Sequence, residues 1–343
     1  MSNSHNPGGL TRRELLKLLG LGGAALLAGC ASPETLTGGS PTPAPFVPTV
    51  ALEPTSAPAT RPPTGVPPTV PAQTATPAPG LAELLQPLSL DPLPADAWKS
   101  LPVYPDSLSA RMRRVFEIGM QQGRDPRRFS VIGDCQSIPT YFLTEFEGAD
   151  GVNYFLGENY AGLQPAVDWF KGSFGGGSAT QGGQNVAAVF SPLWADPNLC
   201  AAGEGPLACE LRINRSAFAL ISLEENWAGD DTGYRENLEK IVQYTLGQAV
   251  IPVLATKASN LEGDHSINRA IVETARAYEV PLWNFWASLQ SLPEQGLYED
   301  RFHLTQGAPG RFDYRGEIRT GWAMRNLTAL QVLDALRRLL ELG

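Results

Sequence analysis

Histidine is scarce in this chain, with three in 343 residues, and cysteine is nearly as scarce, with four. There is no Cys-x-x-Cys pair and no histidine cluster, so the spacings that build a zinc site are missing and neither metal nor cofactor is expected. Basic blocks are also missing beyond the N-terminal segment, and the formal net charge is −9. A surface of that sign repels a phosphate backbone, which excludes nucleic acid as a partner. No apolar run reaches the roughly 18–20 residues that a permanent bilayer-spanning helix needs.

What is present begins with three zones. A basic stretch ends at Thr11-Arg12-Arg13-Glu14-Leu15-Leu16-Lys17, an apolar run covers Leu18 to Leu27, and small residues lead to Cys30. That is the order of an export signal over residues 1–29. Leu27-Ala28-Gly29-Cys30 resembles a lipobox, which implies cleavage before Cys30 and a lipid on its thiol, with membrane lipid as the partner. Arg12-Arg13 resembles a twin-arginine motif, with the general secretory route as the alternative. Residues 30–80 then form the expected tether, since 13 of the 30 prolines fall between positions 41 and 80 among Thr, Ala and Ser. Such a segment buries too little apolar surface to offset its ordering entropy. In the polyproline form it would reach on the order of 100 Å, at about 3.1 Å per residue. The expected location is therefore extracytoplasmic, lipid-anchored to a bacterial membrane.

Residues 81–343 have globular composition and suit one domain, expected to be monomeric. Four nearly continuous apolar runs, Phe129–Ile132, Ala217–Leu223, Ala249–Ala255 and Val280–Phe285, read as strands buried on both faces. Between them, Tyr234–Leu246 places Leu238, Ile241, Val242 and Thr245 on one helical face. Ile267–Tyr278, with Ser266 as its cap, repeats Ile267, Ile271, Ala275 and Tyr278. A last helix is expected from about Thr320 to Leu342. Alternation of this kind predicts an α/β fold with a mostly parallel sheet, whose ligands sit beyond the carboxyl ends of the strands.

The chemistry-bearing residues lie at those ends. Phe129–Ile132 runs into Gly133-Asp134-Cys135-Gln136-Ser137, a turn able to present the Cys135 thiol at a helix start. His5 leaves with the signal, so only His265 and His303 can serve as a base. His303 has Asp300 three residues before it, close enough to orient an imidazole and stabilise its cation.

These two blocks resemble those of the GDSL/SGNH hydrolases, whose first block is Gly-Asp-Ser and whose last is Asp-x-x-His. The likeness spans about residues 125 to 310 and implies a three-layer αβα sandwich. It also implies ester hydrolysis, including acetyl groups on sugars. On this mapping Cys135 is the nucleophile, His303 the general base and Asp300 its orienter. The oxyanion would be held by the nucleophile's N–H, Asn226 and a middle-block glycine, Gly182 or Gly183. Three departures stand out: Cys135 replaces serine, Glu224 stands where a glycine belongs, and Trp227 where an aspartate belongs.

With Cys30 lipidated, Cys200 and Cys209 bracket a short loop and are expected to form a disulfide, leaving Cys135 unpaired. Trp227, Trp283, Trp286 and Trp322 read mostly as core, with a sugar-stacking cleft as the alternative. Lys257 and Asn260 follow a strand end and read as loop solvation, or as residues facing that cleft. The functional expectation is an ester hydrolase or acyl transferase acting on surface or cell-wall glycan. The alternatives are an inactive glycan-binding or scaffold lipoprotein of the same fold, and a two-lobed solute-binding lipoprotein.

Overall fold

The computed structural model describes residues 80–343 apart from 224–226, 228, 309 and 314–317. The export signal, Cys30 and the tether lie outside the described residues, as does Asn226. Among the described residues no helix is long and apolar enough to cross a membrane.

Four parallel strands form one sheet in the order β1-β2-β3-β4: β1 Asp125–Gly133, β2 Ser216–Ser222, β3 Ile251–Ala255 and β4 Leu282–Trp283. Every residue of β2 and β3 is buried, as are the last five of β1. This is what continuous apolar runs predict for a sheet covered on both sides. Among the described residues there is one sheet and not two α/β lobes, which argues against the solute-binding alternative. The Val280–Phe285 run yields only two paired residues, because Phe285 already opens a helix.

The principal helices are α1 Ala110–Gln121, α2 Gln164–Phe170, α3 Pro206–Asn214, α4 Asp231–Gly247, α5 Ser266–Tyr278, α6 Phe285–Leu289 and α7 Gly321–Leu339. Together they make the sheet the middle of three layers. Two successive crossovers, β2-α4-β3 and β3-α5-β4, bring α4 and α5 side by side against β3. On the other face, Phe129 of β1 and Phe218 of β2 are register partners and pack edge-on against Phe170 of α2, at 5.6 and 6.0 Å between ring centroids. The α7 helix joins that layer, contacting α2 and β4.

The faces expected on α4 and α5 are buried as expected. Ser266 is not the cap of α5: it is the first helical residue, its N–H donates to Asp264 Oδ1 at 2.9 Å, and His265 holds the cap position at φ 56°. The cap of α4 is Asp230, which accepts from Gly233 N at 2.6 Å.

Asn326 on α7 fastens the segment after the β1 turn. Its Oδ1 accepts from Leu143 N at 3.0 Å, and its Nδ2 donates to Tyr141 O at 2.9 Å and to Glu145 Oε1 at 2.7 Å. Burial pushes the Glu145 carboxyl up to about 7, against the smaller opposing pull of its hydrogen bonds. Between the unfolded value near 4.5 and that folded value, the native chain holds a proton that the unfolded chain has lost. Stability therefore falls as pH rises across this window, by up to about 3 kcal/mol. Urea unfolding of wild type and Glu145→Gln between pH 4.5 and 7.5 is expected to show the gap closing in the variant's favour as pH rises. Parallel profiles would contradict the assignment.

Candidate active site

At the end of β1 the chain must turn within two residues. Gly133 has no side chain because a Cβ there would collide with the side chain of Ser137, which folds back over it. Asp134, fully buried, caps the next turn by accepting from Gln136 N at 3.0 Å, and Cys135–Ser137 follow as a single 3-10 turn. Cys135 is 5% exposed and is the cysteine outside a disulfide among the described residues. The expected partner pair is bonded: Cys200 and Cys209 form a disulfide with Cα atoms 5.2 Å apart. Glu204 lies beside those sulfurs, but it is engaged by Arg212 and by Ala201 N.

Asp300 and His303 share one half-exposed loop. The His303 Nδ1 meets Asp300 Oδ2 at 2.6 Å, while Asp300 Oδ1 accepts from the backbone N–H of Phe302 and His303 at 2.9 and 3.0 Å. Partial burial alone would raise the Asp300 pKa; the His303 ring and the two N–H donors outweigh it and hold the carboxyl below its ordinary value. Asp300 therefore stays charged at neutral pH, where it fixes the ring with Nε2 turned away from the carboxylate. The loop itself is a narrow hairpin, with Tyr298 N donating to His303 O at 2.9 Å and Thr305 N to Gly296 O at 2.8 Å.

The two expected blocks meet through Gln136. Its Nε2 donates to Phe302 O at 2.9 Å, so the residue after Cys135 is bonded to the residue before His303. Behind this junction stands Arg325 of α7, fully buried. Its Nε donates to Gln136 O at 2.7 Å and its Nη2 to Ser137 Oγ at 3.2 Å and to Ser222 Oγ at the end of β2. The rings of Phe142, Trp283 and Phe285 surround the guanidinium at 4.9 to 5.1 Å. Face-on aromatic contact of this kind offsets part of the cost of removing a cation from water.

On the far side of β1, Gly133 N donates to Ala179 O at 3.0 Å, and Gly133 pairs with Thr180 as a parallel bridge, the rudiment of a fifth strand. Gly182 and Gly183 form the exposed turn that follows. Gly183 adopts φ 81°, and Gln184 closes the turn by donating to Gly133 O at 3.2 Å and Ala179 O at 2.8 Å. The expected middle-block segment thus lies against the strand end that leads into Cys135.

Gln136 and Arg325 were not legible as site residues from motif spacing. Arg325 did carry a signal: it precedes Ala329, Val332 and Leu336 on the same helical face, a charge at the head of an apolar stripe. Of the four tryptophans, Trp283 is core, while Trp227 and Trp322 are partly buried against it. Trp286 borders a cleft with Asn260. Lys257 is not solvated: it is 4% exposed, with Nζ 2.6 Å from Glu262 Oε2 and 3.2 Å from Ser259 Oγ. Its strand-end position puts it under a folded loop instead of at the surface.

No family model matches the chain, and no curated protein matches it. Among solved structures, a GDSL-like lipase of Bacteroides thetaiotaomicron aligns over 66% of this chain and 98% of its own, at 12% identity and a TM-score of 0.36.

Proposed function

We propose that this chain is an extracytoplasmic, lipid-anchored ester hydrolase or acyl transferase of SGNH type, acting on surface glycan through Cys135, His303 and Asp300. The observation that carries the reading is the Gln136–Phe302 bond, which stitches the Cys135 turn to the loop where His303 sits 2.6 Å from Asp300. Turn and loop come from opposite ends of the domain, and only a tertiary contact joins them.

In the reaction that follows, the Cys135 thiol gives its proton to His303 Nε2, and the thiolate attacks the acyl carbon. The developing oxyanion is met by the Cys135 N–H and by an N–H of Gly182 or Gly183. Collapse of the adduct breaks the ester C–O bond. The leaving alkoxide takes the proton from the imidazolium, and a thioester remains on Cys135. Water, or an acceptor hydroxyl in transfer, loses a proton to His303 and attacks that thioester, and the expelled thiolate recovers the proton. Asp300 stays charged throughout and stabilises the imidazolium. The second reading, a non-catalytic glycan-binding member, is favoured by the burial of Cys135 at 5% exposure.

Iodoacetamide separates the two. The catalytic reading predicts that Cys135 is alkylated faster at pH 7 than a small free thiol, and at least tenfold more slowly in His303→Ala. Hydrolysis of p-nitrophenyl acetate is expected to vanish in Cys135→Ala. A thiol no faster than the reference and indifferent to His303→Ala leaves the binding reading.

Arg325 acts in this account as a positioning residue, through the Gln136 carbonyl. Arg325→Lys retains the charge but loses the planar fork that reaches Gln136, Ser137 and Ser222 together. The variant is expected to remain folded by circular dichroism, at a cost of about 2–4 kcal/mol. Its Cys135 alkylation profile is expected to drift toward the pKa of about 8.5 of an ordinary thiol. Lower stability with an unmoved profile would make Arg325 purely structural.

A further inference from the structure

A cavity of about 630 Å³ opens at the carboxyl edge of β3 and β4, within the range of small-molecule sites. Asn260 and His265 reach it from the loop after β3, Trp286 from α6 after β4, Glu294 and Gln295 from the 3-10 turn Pro293–Gly296, and Arg301 from the hairpin that follows and also carries Asp300 and His303. Ala258, Leu292 and Leu297 supply its apolar wall. The loops are fixed to one another. Thr256 Oγ1 accepts from Trp286 N at 3.0 Å, and Asn260 Oδ1 accepts from His265 N at 2.9 Å. Asn268 clamps both the N–H and the carbonyl of Lys257, at 2.8 and 3.1 Å.

Backbone strain is concentrated around this cavity. Nine described non-glycine residues have left-handed φ, and four of them line it: His265 at 56°, Glu294 at 48°, Gln295 at 56° and Arg301 at 57°. Arg215 and Glu279 owe theirs to the ordinary ending of a helix. None of these four sits at a helix end of that kind. A residue with a Cβ adopts this conformation only where its surroundings impose it.

The lining also sets the ligand chemistry. Five of the nine named side chains, Asn260, His265, Glu294, Gln295 and Arg301, are polar or charged, which is poor company for an acyl chain. The cationic group at the rim is already matched, Arg301 Nη2 lying 3.1 Å from Glu294 Oε2. His265 stands edge-on between Trp98 and Trp286 at 5.4 and 5.5 Å, and burial, reinforced by Lys99, pushes its pKa down so that it is neutral at pH 7. With no unbalanced charge to attract an anion, the groups that remain are hydrogen-bonding side chains beside an indole.

We propose that this cavity binds a neutral carbohydrate ring beside the hairpin that carries Asp300 and His303; its link to ester chemistry rests on the reading of Cys135 and His303 above. The sugar is held by hydrogen bonds from Asn260, Gln295 and Arg301 and by contact with Trp286. The hairpin then joins binding to chemistry, because Arg301 lies between Asp300 and His303 in the chain.

Calorimetric titration of the full chain with maltotriose, tri-N-acetylchitotriose, trigalacturonate and sodium decanoate tests this. At least one neutral trisaccharide is expected to bind saturably and more tightly than the anion or the fatty acid. Trp286→Ala and the rim variant Arg301→Met are each expected to weaken it at least tenfold; Arg301→Met keeps the test open if loss of Trp286 unfolds the chain. No isotherm with either neutral sugar, tighter binding of trigalacturonate or decanoate, or wild-type affinity in a folded variant would overturn the proposal. Sugar binding in a preparation whose Cys135 thiol is inert would sink the catalytic reading and leave the pocket standing.

Discussion

A single buried guanidinium organises the carboxyl edge of this sheet. Arg325 reaches from α7 to the Gln136 carbonyl, the Ser137 hydroxyl and the Ser222 hydroxyl, and so ties the ends of β1 and β2 to the last helix. A charge without exposure to water persists only where hydrogen bonds and aromatic faces replace its hydration, and Phe142, Trp283 and Phe285 provide those faces. The cost of burying the ion makes the arrangement discriminating, since any drift of the β1 turn would leave donors or acceptors unmet.

From that fixed point the contacts run outward in order. Gln136 is held by Arg325 through its carbonyl and holds Phe302 through its amide, so the hairpin bearing Asp300 and His303 docks on a turn that is already rigid. Glu294 and Gln295 in the turn before the hairpin, and Arg301 within it, have left-handed backbone and border the cavity beyond β3 and β4. Rigid support under half-exposed functional groups is how a site on loops keeps its geometry.

The layered fold was legible because burial on both faces leaves a plain mark: β2 and β3 are continuous apolar runs, and the periodic faces of α4 and α5 are the ones buried. β4 was overestimated because hydrophobicity alone does not separate a short strand from the helix that follows at Phe285. The contact between Asp300 and His303 was legible from spacing, and the Cys200–Cys209 bridge from the cysteine count. Gln136 was not, since one amide's partner 166 positions away leaves no local pattern. Lys257 misled for a related reason: whether a loop lysine is solvated depends on Glu262 folding back over it.

The central claim is that the Cys135 thiol carries the acyl group. Brief reaction of the full chain with p-nitrophenyl acetate, acid quenching and peptide mass spectrometry address it directly. The account predicts an acetyl thioester on the Cys135 peptide that forms in wild type and fails to accumulate in His303→Ala. Turnover of the ester with no acyl group on Cys135, or a thioester formed equally well without His303, would contradict it.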